Sequence, residues 1–136
     1  MHSRLRSKEQ VDRLYDSKKV SFDKLNEHIT EYILAKFMLT REECEGVDFQ
    51  KLSDLSLSKT MQISPELVKE FDTARSCAGA TSSIAKKTLL YMAIQKAFKI
   101  ELAAEKTPKV HTFEEFSSLV WDAMKRSDYW KPKLEE

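Results

Sequence analysis

The sequence predicts an all-α fold, a bundle of helices joined by polar turns, and three observations carry that expectation. Only two glycines and three prolines occur in 136 residues. No window alternates cleanly between apolar and polar side chains, as a half-buried strand requires. Apolar residues instead recur three and four positions apart, the period of a helix that buries one face. The length suits one domain, able to bury roughly two-thirds of its unfolded surface.

Taken in order, residues 1–20 hold a short amphipathic piece with Val11, Leu14 and Tyr15 on one side among charges, ending at Lys18-Lys19. It reads as a frayed helix or an N-terminal helical arm. A stronger helix follows from Phe22 to Leu39, where Phe22, Leu25, Ile29, Ile33 and Phe37 repeat at helical spacing behind Ser21 as N-cap. Gly46 lies in the polar stretch that closes this region. Residues 47–63 read as a loop that packs across helix ends, because Val47, Phe49, Leu52, Leu55 and Leu57 are too frequent for a floppy linker.

Ser64-Pro65-Glu66 then opens a helix to Arg75, with a hydroxyl cap, proline at the first helical position and an acid after it. Leu67, Val68 and Phe71 supply its inner side. A serine-led helix spans residues 82–98, and Pro108 breaks the chain after it. Thr112 and Glu115 make a capping box ahead of the last apolar stripe, Phe113, Phe116, Leu119, Val120, Ala123 and Met124. Residues 21–126 thus form one domain. Residues 127–136 read as a partly ordered tail, aromatic but broken by Pro132. The predicted core includes Ile29, Ile33, Phe37, Leu90, Ile94, Phe98, Phe116 and Val120.

Composition removes several function classes. A third of the residues are charged, yet the net charge is +1. That balance gives no reason to expect a nucleic-acid partner. No apolar run reaches the length of a membrane span, and the N-terminus lacks the apolar core of a signal peptide. Cys44 and Cys77 are too few for a disulfide framework, so reduced thiols and a cytoplasmic location are expected. His2, His28 and His111 show no metal-ligand spacing with one another or with the cysteines, and no metal site is expected.

The most informative stretch runs from Gly79 to Leu102, where the small residues Ala78-Gly79-Ala80 and the pair Ser82-Ser83 lead into an apolar helix. A hydroxyl at a helix mouth sits where unsatisfied N–H groups and the helix dipole favour a phosphate. A serine there is also an ordinary N-cap, and both readings stand. Lys86 and Lys87 follow in the first turn, where the dipole disfavours cations. They read either as a solvated face or as a docking site for an acidic partner.

Four pieces of the chain occur in the order and spacing of a known family. Ile29-x-x-x-Ile33-x-x-x-Phe37-x-Leu39 comes first, and Phe49-x-x-Leu52-x-Asp54-Leu55 second. The third is Tyr91-Met92-Ala93-Ile94-Gln95-Lys96-Ala97-Phe98 with Leu102, and the fourth Val110-x-Thr112-Phe113-x-x-Phe116-x-x-Leu119-Val120. Together they resemble an acyl carrier protein, over residues 22–55 and 78–125. The resemblance implies an acyl-carrier-like helical bundle, here with an extra inserted helix within residues 56–80. It further implies a 4'-phosphopantetheine arm on Ser83, with Ser82 as the alternative position. Ser83 would face outward and Ile84 inward. The implied partners are a phosphopantetheinyl transferase and biosynthetic enzymes, which would do the chemistry on an acyl or peptidyl cargo held by this chain as a monomer.

The chain departs from the family pattern in three places. The insertion separates Asp54-Leu55 from the serines, Thr81 stands where the family has aspartate, and the serine-led helix carries Lys86, Lys87 and Lys96 and no acid. A second reading follows from them, a carrier-fold protein-binding module without the arm, working through residues 56–80 and the basic helix. An enzyme is not expected, because neither Cys77 nor the serines have a base in clear relation to them. Trp121, Tyr129 and Trp130 read as core and tail packing rather than a ligand cage.

Overall fold

The computed structural model describes residues 2–61 and 83–135. Among these residues it is helical throughout, with no strand beyond a single bridge between Val20 and Leu134. The expected helix from Ser64 to Arg75, most of the insertion, Cys77 and Ser82 lie outside the described residues.

Helix α1 (His2–Asp16) carries an exposed Glu9–Arg13 pair one turn apart and ends where the Ser17 hydroxyl donates to the Arg13 carbonyl. Its inner stripe is Ser7, Val11, Leu14 and Tyr15, and Leu14 is fully enclosed. Residues 7–20 therefore pack into the bundle. α1 packs along α2 (Phe22–Phe37), which is buried on most sides, from Leu25 through Ile29 and Ile33 to Phe37. Ser21 caps α2 by accepting from the Lys24 N–H at 3.2 Å. Met38 ends it in the left-handed region, at φ +57°.

A short α3 (Arg41–Cys44) opens with a capping box between Thr40 and Glu43, and Gly46, at φ +74°, turns the chain. Residues 49–51 form a 3-10 turn that leads into α4 (Leu52–Met61). The sequence predicts a packed loop here, whereas the structure forms a helix even though Ser53, Ser56 and Ser58 are weak helix formers. All three are buried, and Ser56 spends its hydroxyl on the Phe37 carbonyl at 2.7 Å, while Lys59 donates to Met38 O at 2.8 Å. α4 thus satisfies the open carbonyls at the end of α2, and this tertiary role outweighs local propensity.

α5 (Ser83–Phe98) buries Leu90, Ile94 and Phe98, one turn apart. It stops at Lys99, again left-handed at φ +55°, with Gln95 accepting from the Leu102 N–H. α6 (Phe113–Lys125) begins with the predicted Thr112–Glu115 capping box and packs on α2. All eight predicted core residues are buried.

The tail is also core. Trp130 is 1% exposed and donates its indole N–H to the Phe98 carbonyl at 2.8 Å. Val20 N–H donates to Lys133 O, and Glu135 N–H to Val20 O, so residues on either side of the bundle's ends are stitched together. Pro132, which reads as a breaker in the sequence, instead starts a 3-10 turn at residues 131–133.

Candidate functional site

The head of α5 is where the sequence places the site, and its side chains point the opposite way from the expectation. Ser83 is buried, 7% exposed, whereas Ile84 is 72% exposed. The seam set by Leu90, Ile94 and Phe98 explains this. Counting back from Leu90 by seven reaches Ser83, which therefore lies on the core side. Ile84, one residue on, is carried about 100° round the helix. The geometry thus corrects the expectation that Ser83 faces solvent and Ile84 the core.

Lys86 and Lys87 are both half-buried, and burial pushes both ammonium groups below the ordinary lysine value. Lys87 donates to Gln50 Oε1 at 3.0 Å. Gln50 in turn donates to the carbonyls of Thr107 and Val110, each at 2.8 Å, so Lys87 is tied into the joint between the 49–51 turn and the 107–110 loop. Lys86 turns the other way, with Nζ 5.9 Å from the centre of the Phe37 ring. Among the described residues it has no carboxylate partner.

Beside Lys86 a shallow depression opens between the end of α2 and α5, lined by Lys36, Phe37, Lys86, Leu89, Leu90 and Ala93. Leu89 and Met92 stand on the outer side of α5 at 57% and 58% exposure, and Met38 is exposed at the end of α2. Sequence reasoning took Ile84, Leu90, Tyr91, Ile94 and Phe98 as one broad face of this helix, of which Ile84 is instead exposed, and left Leu89 and Met92 unread. The signal was present: Leu89 and Met92 are large apolar residues that fall outside the Leu90–Ile94–Phe98 seam.

Among the described residues the remaining chemistry-bearing groups do not assemble a site. Cys44 is a buried thiol whose pKa burial raises. His111 Nδ1 lies 2.6 Å from Asp48 Oδ1 at an exposed joint, and His28 Nδ1 lies 2.6 Å from Gln10 Oε1 between α1 and α2. Among the described residues no cluster of histidine, cysteine or carboxylate could hold a metal ion. Trp121 packs edge-on to Phe22, and Tyr129 and Trp130 pack on each other and on Tyr15, as packing rather than a cage. No described helix is long and apolar enough to cross a membrane.

Comparison with protein-family models, with curated proteins and with solved structures finds no match. The resemblance to acyl carrier proteins therefore stands on the residues quoted from the sequence.

Proposed function

We propose that this chain is a helical protein-binding module whose working surface is the outer side of α5 together with the end of α2. One observation carries the reading: α5 turns Ser83 inward and Ile84, Leu89 and Met92 outward, beside its buried Leu90–Ile94–Phe98 seam. A carrier needs an exposed hydroxyl for the transferase to reach, and Ser83 is buried while Ile84, Leu89 and Met92 are exposed. Exposed apolar residues gathered on one helix face are the usual mark of a surface that a partner covers. In this reading the protein contributes binding, and any chemistry belongs to its partners.

The carrier reading keeps a specific support in the sequence, the small residues Ala78-Gly79-Ala80 beside Ser82. The two separate in one measurement. The full chain is incubated with coenzyme A and a broad-specificity phosphopantetheinyl transferase, and its intact mass is recorded. The binding-module reading expects no added mass. An adduct at Ser83 or Ser82, lost in the corresponding alanine variant, overturns it in favour of the carrier.

A further inference from the structure

The depression beside Lys86 has a shape and a charge that select its occupant. Its α5 wall is Lys86, Leu89, Leu90 and Ala93, the i, i+3, i+4, i+7 pattern of one side of a helix over two turns. Such a wall runs roughly 10 Å, and Phe37 closes the opposite side. That is a groove in which the ridge of one further helix lodges its apolar side chains.

The rim is basic and has no carboxylates of its own to spare. α5 contains no aspartate or glutamate, and Lys86, Lys96 and the following Lys99 are its outer cations. Lys36 adds another at the end of α2, its ammonium 5.6 Å from the Tyr32 ring. Glu31 of α2 and Glu43 of α3 are engaged by Arg41 and Lys59 respectively. Lys86 is half-buried against an aromatic ring with no anion beside it among the described residues. A partially desolvated ammonium of this kind gains most from an arriving carboxylate.

Resting on the protein-binding reading above, we propose that the α2–α5 groove receives an acidic amphipathic helix of another protein. An apolar side chain seats between Phe37 and Leu89, and a carboxylate pairs with Lys86 and Lys36. A second copy of this chain docked α5 to α5 would set lysines against lysines, which costs rather than stabilises. A membrane surface fits less well, because Lys86 lies in a concavity instead of on the rim of a convex apolar face.

The test is a selection from a displayed library of helical peptides against the full chain, followed by affinity measurements on the selected peptides. The expected winners carry apolar residues at i, i+3, i+4 and i+7 flanked by aspartate or glutamate. Lys86→Glu should weaken them about tenfold or more, most strongly at low salt. Leu89→Asp should remove binding. Both variants must keep the wild-type thermal midpoint, and Lys86→Gln should give an intermediate loss that misfolding does not explain.

Winners without acids that still depend on Leu89 overturn the acidic-helix inference and leave the binding module standing. Winners insensitive to both substitutions overturn this groove as the site. No peptide above background overturns both readings together. Flotation with phosphatidylserine vesicles that Lys86→Glu abolishes, or a dimer in sedimentation that Leu89→Asp dissolves, replaces the helix with a membrane or a second copy.

Discussion

Phe98 shows how much one residue carries. It has no exposed surface and meets the rings of Tyr15, Tyr32 and Trp130, with centroids 6.2, 6.3 and 5.9 Å away. Phe98→Ala should cost about 3–5 kcal/mol, read from urea denaturation. A loss below about 1 kcal/mol would mean that the residue is not enclosed as described. Tyr91 predicts the opposite sign. Its ring stacks on Phe116, but its hydroxyl is buried with no hydrogen-bond partner among the described residues, and burial pushes its pKa up to about 12. Removing an unsatisfied oxygen while keeping the ring relieves a desolvation cost. Tyr91→Phe should stabilise the fold by about 1 kcal/mol, and a destabilised variant would reveal a partner for that hydroxyl. At Lys99 the backbone itself is strained, since φ +55° suits glycine. Lys99→Gly should raise stability by about 0.5–1 kcal/mol in the same assay.

At the scale of elements, the stripes that were legible are those set by repeated apolar spacing alone. α2, α5 and α6 announce themselves through Ile29-Ile33-Phe37, Leu90-Ile94-Phe98 and Phe116-Val120, because burying such a stripe requires a helix whatever the neighbours are. α4 was not legible. Its Ser56 gains its worth from the Phe37 carbonyl at the end of α2, a contact no local pattern encodes. The same limit hid the orientation of the α5 head, since the serine pair signals a cap but not which serine the seam turns inward. The α1–α2 contact adds a pH dependence. Burial lowers the His28 pKa, with Lys24 and Arg13 acting the same way and Glu27 and Glu31 against. The folded chain therefore releases this proton at a lower pH than the unfolded chain, whose histidine titrates at about 6.5. Stability is complete above that value and falls as pH drops below it. Urea midpoints at pH 7.5 and 5.5 should show the loss, and His28→Gln should flatten it. Glu43, held low by the hydrogen bond from Lys59, titrates further down.

The whole molecule closes through its two ends. Tyr15 of α1 donates its hydroxyl to the Ala97 carbonyl at 2.7 Å and shares ring contacts with both Phe98 and Trp130. Lys133 donates to the Tyr15 carbonyl at 2.8 Å and lies over the rings of Tyr129 and Trp130. The end of α1, the end of α5 and the last turn thus form one aromatic cluster, stitched by the backbone bonds around Val20. Its residues are distant in sequence and separated by Pro108 and Pro132, which is why the ends read as an arm and a tail. The structure makes a strong demand here. Truncation after Arg126 removes Trp130 and Leu134, each buried, and uncovers Phe98 and Tyr15. Losing a buried tryptophan and a buried leucine costs about 3–5 and 2–5 kcal/mol respectively, against about 5–15 kcal/mol of total stability for a domain. The 1–126 chain should therefore unfold with little or no cooperative transition in circular dichroism. Trp130→Phe, which keeps one ring but loses the bond to Phe98 O and part of the buried indole volume, should remain folded and lose about 1–3 kcal/mol. A cooperative 1–126 chain as stable as the full length would return residues 127–136 to the status of a tail.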